Sequence, residues 1–206
     1  SLLIGLGLAL GISNGSLLAQ PTAEFKTFVE WCENKNQLAE ETQHTIEVLL
    51  EEAGTTNCNQ ADKTLSGLTN LILVENQISD IRPLSSLTQL TELNLWDNQI
   101  SDISPLSSLT QLEILILSGN PISDISPLFS LTQLTDLNLS VNEISDISPL
   151  SSLTQLRELS LSGNEISDIS PLSSLTLLLG LDLQENQISD ISPLSSLYQL
   201  EVLYLN

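Results

Sequence analysis

Six aspartates stand at one spacing along this chain, Asp80, Asp102, Asp124, Asp146, Asp168 and Asp190. If successive copies fall on neighbouring strands, their carboxylates stack at about 5 Å, which invites calcium. Asp ahead of Ile-Ser-Pro is also a turn-capping type, and the Gly-rich, multi-oxygen loop of dedicated calcium repeats is missing. Capping is therefore the expected use, with no metal. Other carboxylates, Glu92 with Asp136 or Asp136 with Glu158, have the makings of a glycosidase pair. On an open surface nothing raises one of them into a general acid. His44 is the one histidine and no nucleophile elbow or phosphate loop occurs, so neither an enzyme nor a cofactor is expected. Cys32, Cys58 and His44 are too scattered for a zinc set.

One repeated sentence must position these groups. Its form from Leu87 to Ser108 is LTQLTELNLWDNQISDISPLSS, and its Asn recurs at Asn76, Asn98, Asn120, Asn142, Asn164 and Asn186. A 22-residue period signals a solenoid. Six full units and a truncated seventh are expected over 65–206, the last stopping two residues before the next Asn is due. The chain contains no Met and reads as a fragment at both ends, leaving Leu200, Leu203 and Leu205 without a cap.

Within a unit, LxxLxLxxN puts pairs such as Leu93 and Leu95 on one face of a short strand by period-two alternation. Asn98 and its equivalents then supply an amide to the turn, forming a buried ladder whose loss leaves backbone groups unsatisfied. Ile100, Ile103 and Leu106 bury the return side. Ser104 before Pro105 has the residue types of an N-cap and first helical position. Too few residues remain for an α-helix, so the return is expected as a short 3₁₀ or irregular turn.

The string LxxLxLxxNxISDISPLSSL resembles the 22-residue bacterial leucine-rich repeats best known from internalins, with their NxIxDIxPL signature. The resemblance covers about Leu65 to Asn206. It implies an α/β repeat solenoid, a right-handed leucine-rich-repeat horseshoe with a concave parallel sheet, short convex turns and a helical N-terminal cap. It further implies recognition of other proteins by the concave face. The cysteine pair departs from typical internalin caps.

Ahead of the repeats the pattern differs. The opening SLLIGLGLALGISNGSLLAQ is apolar and uncharged, and reads as a signal peptide over 1–19 with cleavage after Ala19. Residues 20–64 read as a helical cap: Phe25, Phe28, Val29 and Cys32 share one helical face, and Ile46, Leu49, Leu50 and Ala53 another. A cap shields the first unit's open core. Export makes Cys32 and Cys58 candidates for a disulfide stapling that cap. The product is expected to be secreted, periplasmic or at the cell surface, with no membrane insertion after cleavage and a monomeric state when end-capped.

With 26 acidic and 5 basic residues the net charge is −21, and beyond Leu65 the cations are Arg82 and Arg157. Nucleic acid is not expected as a partner and an anionic membrane surface is disfavoured, whereas cationic or neutral protein surfaces suit the charge. Strand positions alternating with the buried Leu face outward and vary between repeats. Ile72, Val74, Trp96, Ile114 and Ile116 form an apolar patch there, rimmed by Glu92, Asp97 and Asp136. A Trp-centred patch with a charged rim has the anatomy of a binding hot spot. Leu177, Leu179, Phe129 and Tyr198 replace polar residues of other units and could mark a lateral contact. The expected function is protein recognition on the concave face; the alternative is a structural spacer or self-assembling envelope protein.

Overall fold

The computed structural model of the chain describes residues 25–205, so the expected signal peptide over 1–19 lies outside the described residues. Seven strands, β1 (Asn70–Ile72), β2 (Glu92–Asn94), β3 (Ile114–Ile116), β4 (Asp136–Asn138), β5 (Glu158–Ser160), β6 (Gly180–Asp182) and β7 (Val202–Tyr204), form one parallel sheet in chain order. Register is unbroken, with Asn70 beside Glu92 and Glu92 beside Ile114. The middle residue of each strand from Leu71 to Leu181 is at most 2 % exposed, so equivalent leucines stack into one continuous core. Each such buried side chain contributes about 2 kcal/mol of transfer free energy.

Past each strand the backbone turns, and a side-chain amide satisfies it. Asn142 donates from Nδ2 to Leu117 O of the preceding unit at 3.1 Å and to Leu139 O of its own at 3.0 Å. Its Oδ1 accepts the Ile122 N–H at 3.1 Å. Asn98, Asn120, Asn142 and Asn164 are all buried, so water cannot replace them. At the first rung Asn76 is half-buried and donates within its own unit, to Val74 O at 2.8 Å. The residue before each ladder Asn is left-handed: Glu75, Asp97, Gly119, Val141, Gly163 and Glu185 have φ from 53° to 69°. Glycine adopts this freely, but a β-branched residue is strained there by about 1–2 kcal/mol. Val141 is held in place by its N–H to Ser162 O at 2.7 Å while its side chain is 65 % exposed.

The returns are 3₁₀ turns of five residues, such as Ser104–Ser108 and Ser126–Ser130. Ser104 is not their N-cap. It is the first residue of the turn, Ile103 precedes it, and the capping oxygen comes from Asp102, whose Oδ1 accepts the Ser104 N–H at 2.8 Å. The same bond recurs from Asp124 to Asp190. Backbone N–H donation from the following Ser, aided by its hydroxyl, holds the Asp124, Asp146 and Asp190 carboxyls below their ordinary range. The Asp column is thus a row of turn caps. The last Ser of each later turn adds a further ladder, Ser108 Oγ donating to Ser85 O at 2.9 Å and Ser174 Oγ to Ser151 O at 3.0 Å.

The N-terminal helices cover the first unit: α1 (Phe28–Glu33), α2 (Glu40–Glu52) and α3 (Cys58–Leu65). A 3₁₀ turn at Lys35–Gln37 interrupts the helical stretch. The apolar phase changes there, and the break lets Phe28 and Cys32 as well as Ile46 and Leu49 reach one core. Gly54, with φ +65°, ends α2 in a Schellman turn in which Thr55 N donates to Leu50 O at 3.2 Å. Cys32 and Cys58 are joined in a disulfide between α1 and α3. Docking of α2 centres on Asp80, which pairs with Arg82 at 2.7 Å and accepts the Thr42 hydroxyl. Arg82 also donates to Thr42 Oγ1 at 2.9 Å and lies over the Trp31 ring, 5.8 Å from its centroid. Thr45 donates to Asp80 O and His44 Nε2 to Asn76 O, each at 2.7 Å. Burial pushes the Asp80 carboxyl up, but the bonds from the Arg82 guanidinium, Thr42 and the Arg82 N–H outweigh it and hold it below its ordinary value.

Replacing Asn142 with Ala strands two carbonyls and an N–H, and a stability loss of about 3 kcal/mol is expected in urea unfolding, against under about 1 kcal/mol for Asn76→Ala. Equal losses at both rungs would sink the ladder argument. Val141→Gly should raise stability by about 1 kcal/mol, and a lowered urea midpoint would mean that the left-handed turn is not under strain. A carboxyl with a depressed folded value contributes stability above its unfolded value, about 3.9, and loses it as pH falls through the folded one. The gap in midpoint between the parent and Asp80→Asn should therefore be wide at pH 6 and shrink once pH drops below about 4. A gap that stays constant down to pH 2.5 would remove Asp80 from the docking.

Candidate functional site

Outward-facing strand residues fall into straight rows because register never slips. The first row runs Asn70, Glu92, Ile114, Asp136, Glu158, Gly180, Val202, and the second Ile72, Asn94, Ile116, Asn138, Ser160, Asp182, Tyr204. A third row past the strands holds Val74, Trp96 and Ser118. Ile72 is 58 % exposed and Trp96 44 %, so neither belongs to the core.

Hydrogen bonds hold much of this surface in place. Asn94, Asn138 and Asp182 each accept the N–H two residues on, from Trp96, Ser140 and Gln184, at 3.0 to 3.1 Å. Asn70 donates to Glu92. The hydroxyls of Ser140 and Ser160 lie 2.6 Å apart, and Ser162 donates to Ser140 at 3.1 Å. The rows are therefore pre-set rather than loose.

The expected patch divides into three places. Ile72 lines a shallow hollow against the cap, with Val48 and Glu52 of α2. Trp96 leans along the rim toward Gly119, where an added Cβ would stand 3.5 Å from the indole nitrogen. Val74, half-buried, and the exposed Asp97 flank that rim. Ile114, Ile116 and Asp136 come together in a separate hollow of about 310 Å³ that runs along the sheet to β7.

That larger hollow also takes in Glu158, Gly180, Asp182, Val202 and Tyr204, which the sequence alone does not join to the patch of Ile114 and Ile116. The signal was present in the lone glycine of the first row. A Cβ at Gly180 would collide with the Glu158 carboxylate, so the bare backbone lets that side chain lie across β6. Arg82 was legible in the same way, since Ser fills its place in the later turns. Leu177 and Leu179 fold down to half-burial, while Phe129 and Tyr198 stand 64 % and 91 % exposed on the turns. Among the described residues, no group of three or more His, Cys, Asp or Glu is placed to hold a metal ion. Among the same residues no helix is long and apolar enough to cross a membrane.

Comparison with known proteins agrees with this architecture. The family described as Leucine Rich repeats (2 copies) matches residues 66–108, 88–130, 110–152 and 132–174. No curated protein matches the chain. Among solved structures, the internalin InlF of Listeria monocytogenes is 34% identical with a TM-score of 0.64, over 79% of this chain and 55% of that one. The chain thus spans about half of that internalin's length. Internalin C2 of the same species is 31% identical over 78% of this chain and 91% of that one, with a TM-score of 0.45. A leucine-rich-repeat protein of Leptospira interrogans is 28% identical over 68% of this chain and 38% of that one, with a TM-score of 0.62. Leucine-rich-repeat proteins are generally protein-interaction modules, and their internalin-like members are typically non-enzymatic and often secreted or at the surface. With its 22-residue units, parallel strand rows and helical N-terminal region, the chain belongs to the leucine-rich-repeat family in its internalin-like form.

Proposed function

We propose that this chain is a non-enzymatic recognition module, exported from the cell, that binds a partner protein on the concave face of its solenoid. Trp96, Ile114 and Ile116 serve as apolar anchors, with Ile72 and Val74 extending the contact toward the cap. Glu92, Asp97 and Asp136 orient the partner.

The observation that carries this reading is the contrast between a uniform core and an uneven outward surface. Leu93, Leu115 and Leu137 are interchangeable in place and burial, whereas their outward neighbours run from Trp and Ile to Asp and Gly. Packing demands the first pattern and places no demand on the second. A half-exposed Trp on a rigid sheet contributes large contact area at small entropic cost, which is how binding hot spots work. Export is supported by the Cys32–Cys58 disulfide, because such bonds persist in oxidising compartments.

The test compares the chain with a Trp96→Glu, Ile116→Glu variant and with a Phe129→Glu, Tyr198→Glu variant altered on the turns. All three should show the same circular dichroism and melting behaviour. Each is immobilised and exposed to surface and secreted proteins of the source organism and its surroundings, and any protein retained is purified and titrated. The expected outcome is a partner bound by the parent and the turn variant, and at least about a hundredfold more weakly by the concave variant, as two lost anchors imply. Equal binding by all three, or a partner lost on the turn variant alone, overturns concave recognition. Absence of any partner would favour the spacer.

A further inference from the structure

The hollow between β3 and β7 has a chemical character of its own. Ile114 and Ile116 close one end, Val202 and Tyr204 the other, and the carboxylates of Asp136, Glu158 and Asp182 stand between them. Four inter-strand steps at about 4.8 Å make it about 19 Å long, room for about six residues of extended chain.

The three carboxylates are under-used. Asp136 accepts one hydrogen bond, from the Thr135 hydroxyl at 2.7 Å, and Asp182 one, from the Gln184 N–H at 3.1 Å. Glu158 has no side-chain hydrogen bond among the described residues, although a carboxylate can accept several. The ion pairs among the described residues are Lys35–Glu47 and Arg82–Asp80, both at the cap end. Arg157, the one cation in the later repeats, pairs with none of the three acids. Gly180 sharpens the arrangement by letting the Glu158 carboxylate reach over β6, the strand that carries Asp182.

These features select the occupant. A metal ion does not fit, since no three acids among the described residues are close enough to share one. A second copy of this chain is unsuitable, because it brings −21 of like charge and five cations, of which Lys35 and Arg82 are already paired. An apolar peptide alone would bring no positive charge to the three carboxylates. A guanidinium supplies five N–H donors in a planar fork, and its stem packs on aliphatic walls.

We propose that this hollow receives an arginine side chain from an extended segment of the partner protein, seated among Asp136, Glu158 and Asp182. Apolar residues of that segment on either side of the arginine rest on Ile114 and Ile116 and on Val202 and Tyr204. Gly180 acts as a positioning residue that leaves Glu158 its place. The inference rests on the concave face being the recognition surface, and it adds the chemistry that the surface selects.

A random dodecapeptide library displayed on phage, selected on the folded chain at low salt, tests it. Enriched sequences should carry an Arg flanked by apolar residues, and the best one is synthesised with Arg and with citrulline in its place. Binding should fall at least about tenfold on citrulline exchange, in the Glu158→Gln, Asp182→Asn variant, and in Gly180→Ala, where the methyl displaces Glu158. It should also weaken as salt rises from 50 to 500 mM, roughly in step with a screened charge pair. Peptides that lack cations, bind the acid variant unchanged, yet are lost in Trp96→Glu, Ile116→Glu overturn the arginine pocket and leave concave recognition standing. Peptides indifferent to both variants overturn the pocket and count against the concave face as well. Failure to enrich any peptide also overturns the pocket, leaving concave recognition to the partner titration above.

Discussion

A parallel strand that turns sharply after three residues leaves carbonyls and N–H groups inside the protein, away from water, and the buried Asn column answers that constraint. Each amide spans two units, donating to one carbonyl in its own turn and one in the turn before. The bond therefore fixes the rise as well as the turn. It holds neighbouring strands at one height, and unbroken register follows along the whole sheet. The capping aspartates and the serine ladder do the same for the opposite side of the unit, Asp within a turn and Ser between turns. Three polar columns thus surround the aliphatic core and make the unit repeat without slip.

A stack held this way is indifferent to what stands on its outward rows. Core leucines cannot vary without cavities or overpacking. Outward residues can, so the differences between units collect in rows one, two and three. Hydrogen bonds also fix these rows: Asn94, Asn138 and Asp182 each accept the backbone N–H two residues ahead. The left-handed residues along the rim, Asp97 and Val141 among them, set the direction in which the backbone leaves each strand.

The period, the strand positions, the Leu and Ile core and the Asn column were legible because period-two alternation and a fixed repeat leave one consistent placement. The Ser-Pro pair misled locally. Its residue types suit a helix N-cap, but the Asp two residues earlier has the longer reach and takes the turn's first N–H, leaving Ser104 inside the turn. The break between α1 and α2 was hidden because a change of apolar phase looks like continued helix until the two faces must meet one core. The division of the concave patch was hidden for another reason. Which outward side chains share a hollow depends on how each one leans, and Glu158 leans as it does because its neighbour on the next strand has no Cβ.

Arg82 shows how an end is built from a repeat that has none. In the later turns the residue after Asp-Ile is Ser, a donor that serves its own turn. At the first turn the same place faces α1 and α2, and a longer, charged side chain bridges Asp80, Thr42 and the Trp31 ring. The capping Asp keeps its bond to the following N–H, at 3.0 Å, and gains the guanidinium and a threonine hydroxyl besides. One substitution in the repeat therefore converts a turn cap into a docking site for the helices. The net negative charge sets the limit on this device. With two cations in the repeats, one is spent on joining the cap and the other forms no ion pair with the concave acids among the described residues, so those acids add to the negative charge of that face.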